Sequence, residues 1–179
     1  MKIKNLTVFC GSKTGNESIF CEHAAQLGHL LASKNITLIY GGGNKGMMGS
    51  LANSVLDSGG KAIGIMPKIL AVKEHAHTGL TEMIVVRDMH TRKKLLYKKG
   101  DAALVLAGGY GTMDEFFELL TWDQLDLHDK KIFIVNSNGF YEHLVAFLKK
   151  VESENFLYHQ ISDHIIIVSE PSELNAYFS

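Results

Sequence analysis

Proline and cysteine are scarce in this chain of 179 residues, with two of each, and tryptophan occurs once. There is no proline-rich, low-complexity or repeated stretch to act as a linker between domains. Cys10 and Cys21 lack Cys-x-x-Cys spacing, and an intracellular protein of this size has little use for a disulfide, so both are read as reduced thiols. No apolar run approaches a membrane span, and Met1 to Asn5 leads into a strand-like segment without an apolar signal core, which predicts a cytoplasmic protein. An excess of charge is missing too: 18 Lys and Arg against 19 Asp and Glu give a formal net charge of -1 with no like-charge block. That balance leaves no electrostatic footprint for nucleic acid or an anionic membrane, so any anionic ligand must be met by local groups.

What is present is 46% hydrophobic content, enough for one well-buried core and short for two, and residues 1–179 are read as a single domain. Leu6 to Phe9 is a short apolar strand broken by Cys10-Gly11-Ser12. A helix capped by Asn16 follows, with Phe20, Ala24, Leu27 and Leu31 at helical spacing. The unit then repeats: strand Ile36 to Tyr40, turn Gly41-Gly42-Gly43, helix Met47 to Leu56, and strand Ala62 to Ile65 stopped by Met66-Pro67. Lys68 to Thr81 has weak periodicity, the mark of a functional or mobile loop.

Strand Met83 to Val86, a basic helix Met89 to Lys99 and strand Ala102 to Leu106 come next. Strands Ile132 to Val135 and Ile165 to Val168 flank a helix from Phe140 to Val151, and Pro171 opens a last short helix. Strands that are continuously apolar and separated by helices predict a Rossmann-like, doubly wound α/β sandwich with a mainly parallel sheet. Ligands of such sheets bind beyond the carboxyl ends of the strands, near the switch in strand order. Small-residue turns stand at three such ends: Gly11-Ser12, Gly41 to Gly49, and Gly108 to Gly111.

The third turn lies in Ala107-Gly-Gly-Tyr-Gly-Thr-Met-Asp-Glu115, between a strand and an apolar helix. Its glycines let a ligand approach the backbone, and the helix start offers unpaired N–H groups to an anion. Glu115 would face that anion, although Thr112-x-x-Glu115 also fits a capping box that occupies both side chains. Neither the dinucleotide fingerprint, with its ribose-binding acid, nor a Walker loop is present, which points to a mononucleotide or sugar phosphate. Arg92 and Lys93 begin a helix where cations oppose the dipole; Arg92 suits a bidentate grip on phosphate, and a solvated basic face is the plain alternative. Glu74, His75 and His77 lack metal-ligand spacing. Met47, Met48, Met66, Phe116 and Phe117 read as core or subunit-interface residues, and a helix starting at Thr112 that is apolar on more than one side suggests burial against a partner subunit.

Taken together, Gly41-Gly42-Gly43-x-x-Gly46-x-Met48-Gly49, Met89-His90-x-Arg92-Lys93 and Gly108-Gly109-Tyr110-Gly111-Thr112-x-x-Glu115 resemble the LOG ("lonely guy") family of cytokinin riboside 5'-monophosphate phosphoribohydrolases, once labelled possible lysine decarboxylases. The resemblance implies hydrolysis of the N-glycosidic bond of N6-modified adenosine monophosphates, or of AMP, to free base and ribose 5-phosphate. It implies Arg92 and Glu115 as catalytic residues. It implies substrate contacts from Glu74, Lys93, Gly109, Tyr110, Gly111, Thr112 and Thr121, with Ser12, Gly42 and Gly43 in the neighbouring turns. A homodimer or larger homo-oligomer is implied, and neither a metal nor an organic cofactor. Related folds carry molybdenum cofactor, so a carrier without turnover is the alternative. Nothing marks a lysine for the pyridoxal phosphate that the old decarboxylase label requires. Ala107 replaces the proline that normally opens the last motif, which predicts a less constrained turn.

Overall fold

The computed structural model describes residues 2–70 and 75–178. Its strands are β1 (Asn5–Phe9), β2 (Thr37–Tyr40), β3 (Ala62–Pro67), β4 (Glu82–Val86), β5 (Ala102–Val105), β6 (Ile132–Val135) and β7 (Ile165–Val168). The α-helices are α1 (Ser18–Ser33), α2 (Gly46–Asp57), α3 (Met89–Lys99), α4 (Tyr110–Gln124), α5 (Glu142–Ser153) and the short α6 (Ile161–His164). Two 3₁₀ turns, Ser137–Gly139 and Pro171–Ala176, complete the described elements.

All seven strands form one parallel sheet in the order β4-β3-β2-β1-β5-β6-β7. Side chains alternate across a strand, so a strand covered on both faces must be apolar throughout. Leu38 and Tyr40 of β2 enter one core with Leu27 and Leu31 of α1 and Leu51 and Val55 of α2. Ile39, between them, enters the opposite core with Leu96 of α3, Phe116 and Leu119 of α4 and Leu148 of α5. This double coverage explains why the strands read as unbroken hydrophobic runs.

Most boundaries shift by one or two residues from the sequence reading, and three of the shifts are informative. Glu17, not Asn16, precedes the first turn of α1, and no side chain caps it. Pro67 ends β3 instead of stopping it earlier, because the ladder to β4 continues to Pro67 and Val86 while the Pro67 carbonyl accepts the turn bond from Leu70 at 2.9 Å. The helix after the glycine loop starts at Tyr110, two residues ahead of Thr112. Among the described residues no helix is long and apolar enough to cross a membrane.

The chain winds outward from β1 to β4, then crosses back to place β5 on the other side of β1. The loops after β1 and β5 therefore diverge around one crevice, the switch point at which such sheets bind ligands.

Candidate active site

At the switch, β1 and β5 end side by side and their loops are tied together. The Gly11 N–H donates to the Ala107 carbonyl at 3.0 Å, and the Leu106 N–H donates to the Phe9 carbonyl at 2.9 Å. From beyond β6, the Tyr141 hydroxyl donates to the Leu106 carbonyl at 2.8 Å. Ala107, in the place of the motif proline, thus sits where its own carbonyl accepts from Gly11 and the preceding carbonyl accepts from Tyr141.

Gly109 is the cap residue of α4, and no side chain closes that end. Thr112 lies buried inside the first turn, packed so tightly on Gly108 that a Cβ there would sit 2.2 Å from its Oγ1. The capping-box alternative for Glu115 fails because the helix begins too early for Thr112 to be its cap. Gly109 and Gly111 have open space where a Cβ would stand. First-turn N–H groups without a side-chain cap, beside backbone that a ligand can approach, make an anion cradle.

The cradle opens onto a cavity of ≈ 510 Å³. Phe20, Met47, Met48, Met89 and Phe140 supply its apolar lining, and Lys13, Arg92, Asp114 and Glu115 supply charge. Phe20 and Phe140 meet edge to face with centroids 5.5 Å apart, closing the wall between α1 and the turn after β6.

Arg92 is only 7% exposed. Its Nε donates to the Ile65 carbonyl at 3.1 Å, and its Nη1 lies 3.9 Å from the Met89 sulfur. Its Nη2 passes over Gly41, where a Cβ would come within 2.3 Å of it. The cations near the start of α3 are offset by the cap: Asp88 accepts the Thr91 N–H at 2.8 Å, and this bond, with help from Arg87, holds its carboxyl well below the usual range. Glu115 is half-buried on the cavity wall. Cys10, on the cavity floor, has its thiol pushed up by burial and then by the Glu115 carboxylate, so it stays protonated and is a poor nucleophile.

Residues 48–178 match the family described as "Possible lysine decarboxylase". A cytokinin riboside 5'-monophosphate phosphoribohydrolase of Rhodococcoides fascians is 41% identical over 168 residues, covering 93% of this chain and 85% of that protein. The chain belongs to the LOG family. An Arabidopsis thaliana relative of the same name is 42% identical over 171 residues, 96% of this chain and 79% of its own length. Among solved structures, the molybdenum cofactor binding protein of Rippkaea orientalis superposes with a TM-score of 0.73 at 21% identity, over 99% of this chain and 96% of that one. The molybdenum cofactor carrier of Chlamydomonas reinhardtii gives 0.72 at 16% identity, over 99% and 96%. At such identities these two share the fold.

The LOG motifs separate in space more than their spacing suggests. Arg92, Glu115, Gly109, Tyr110, Gly111, Thr112 and Ser12 line one cavity. Gly42 and Gly43 do not: the Gly42 carbonyl accepts the His77 N–H at 2.9 Å and Gly43 bridges to Ala76, so both hold the Ala76–His77 part of the long loop. Lys93 points away from Arg92 and pairs with Asp114 at 3.2 Å and Glu118 at 3.3 Å on α4. Burial alone would weaken its charge, but those carboxylates outweigh burial and hold its ammonium above the usual range. Thr121 is exposed farther along α4 and donates to the Phe117 carbonyl at 2.8 Å. Glu74 lies outside the described residues.

His77 accepts the Gly79 N–H on Nδ1 at 3.0 Å, which leaves its Nε2–H to donate to Asn53 at 2.9 Å. Burial lowers its pKa and favours this neutral form. No group of three or more His, Cys, Asp and Glu side chains among the described residues could hold a metal ion.

Sequence reasoning missed Phe20 and Phe140 as cavity-lining residues and Tyr141 as the tie to the Leu106 carbonyl. Phe20 is hidden in an ordinary helical stripe, and the aromatic pair that follows Gly139 carries no motif. Gly41 stood inside the recognised run, but its particular use, making room for Arg92, depends on a contact across 51 positions of chain that only the fold creates.

Proposed function

We propose that this protein hydrolyses the N-glycosidic bond of adenosine 5'-monophosphates, N6-modified or plain, to free base and ribose 5-phosphate. One observation carries the reading: Arg92 and Glu115 share a cavity with the open N-terminus of α4. The 5'-phosphate sits on the α4 amides and the glycine loop, where the helix dipole favours it. The base takes the apolar part of the cavity. As the bond from C1' to the base nitrogen breaks, positive charge grows on the ribose and the electron pair leaves with the base. Glu115 stabilises that charge and orients a water, whose oxygen bonds to C1' and whose proton passes by way of the carboxylate and solvent to the departing base. Arg92, held by the Ile65 carbonyl, orients the nucleotide and balances its charge.

The enzyme reading is supported by relatives whose name states this activity at identities above those of the carriers. Purified protein incubated with AMP and with isopentenyladenosine monophosphate should release free base from at least one; release from neither overturns the proposal.

The active form proposed is a cytoplasmic homodimer. Tyr110, Phe117 and Leu125 of the α4 segment are exposed along one side at 96, 39 and 56%, with Met89 of α3 at 40%. Large apolar side chains grouped this way favour burial against a second copy. Phe117→Asp should shift the protein toward monomer in sedimentation velocity; an unchanged dimer would place the contact elsewhere.

A further inference from the structure

Tyr141 is unused by the reading above, yet it is the side chain from outside β1 and β5 that grips the root of the glycine loop. Its ring is 3% exposed and its hydroxyl donates to the Leu106 carbonyl, immediately before Ala107, at 2.8 Å. Burial pushes the Tyr141 phenol up from its ordinary range, so the hydroxyl keeps its proton and donates. The other end of Tyr141 is fixed as well. Its N–H donates to Asn136 Oδ1 at 2.6 Å, at the carboxyl end of β6, and its ring stacks edge to face on Phe140 with centroids 4.8 Å apart.

This gives a chain of fixed contacts from β6 to the first turn of α4. A buried phenol anchored on a neighbouring strand end limits where Leu106, and therefore Gly108 and Gly109, can move. Preorganised donors bind an anion without the cost of ordering the loop at each encounter, whereas a loop that samples several positions binds it more weakly. Ala107 imposes no φ constraint of its own, so the phenol bond acts where a proline ring would.

We propose that Tyr141 is a positioning residue that presets the Gly108–Thr112 loop for the 5'-phosphate of the substrate. The inference rests on the phosphoribohydrolase reading for the identity of that anion, but not for the restraint itself.

Tyr141→Phe keeps the ring and removes only the hydroxyl. Amide hydrogen exchange, followed by mass spectrometry on peptides spanning 106–114, is expected to speed up in this variant, and Ala107→Pro added to it should restore slow exchange by stiffening the same turn. Titration with ribose 5-phosphate should show affinity weakened by about 3- to 10-fold, the range for one neutral hydrogen bond. With AMP as substrate, KM should rise by a similar factor while kcat moves less.

A purely architectural role predicts the opposite split, with a lower melting temperature and active fraction at unchanged KM. Unchanged exchange in 106–114, or faster exchange with unaltered ribose 5-phosphate affinity, overturns the proposal. If wild-type protein neither binds ribose 5-phosphate nor releases base, the functional reading fails; the exchange comparison and its reversal by Ala107→Pro still decide whether Tyr141 restrains the loop.

Discussion

Glu115→Gln is expected to lower kcat for base release by about 10³-fold, within the range for loss of a general acid–base or electrostatic group and equivalent to about 4 kcal/mol of transition-state stabilisation. The substitution is nearly isosteric and removes the charge while keeping hydrogen-bonding capacity. Glu115 sits on the cavity wall past the first turn of α4, which has no side-chain cap, so its loss should leave the helix start and the phosphate cradle intact. KM for AMP should therefore stay within about threefold of wild type, because binding without charge development is unaffected. Steady-state kinetics with circular dichroism as a folding control make the comparison. A variant that keeps more than a tenth of wild-type kcat would remove Glu115 from the chemistry. Cys10 is no substitute nucleophile, since burial, the larger of the two effects on its thiol, still keeps it protonated when the Glu115 carboxylate is gone.

Gly41→Ala should have the next largest effect, though the residue touches no reacting atom. Its new methyl would stand 2.3 Å from the Arg92 Nη2 and 3.2 Å from the Met48 sulfur. The methionine can yield; the guanidinium is confined by the Ile65 carbonyl behind it and must move. A catalytic group misplaced by about 1 Å costs on the order of 10²-fold in rate, and that is the loss expected in kcat. The control is the same change made in Arg92→Ala, where the clash partner is gone and the second substitution should cost little more. Equal losses in both backgrounds would mean that Gly41→Ala harms the fold and that no slot for Arg92 exists.

Both predictions concern side chains that local pattern had brought within reach, but only in part. Helix Met89–Lys99 and strands Ile132–Val135 and Ile165–Val168 were legible to the residue, because their ends coincide with a change from apolar to polar or with a cap such as Asp88. The start of α4 was not: Thr112-x-x-Glu115 satisfies the capping pattern, while the true start at Tyr110 depends on how the loop leaves β5. Arg92 and Lys93 are adjacent and looked alike. About 100° of helical rotation separates them, enough to send one into the cavity and the other to Asp114 and Glu118.

The sequence by itself determined the alternation of buried strands and helices, the parallel sheet, the glycine turns at its carboxyl edge and the motifs that mark the LOG family. These follow from backbone propensity and hydrophobic period, which act over a few neighbouring residues. Tertiary structure decided which of the motif residues meet. Gly41 serves Arg92, Gly42 and Gly43 serve the segment at His77, and Tyr141 reaches Leu106 across 35 positions because β5 and β6 are neighbours in the sheet. Such contacts depend on strand order and side-chain direction, and no short window of the chain encodes either.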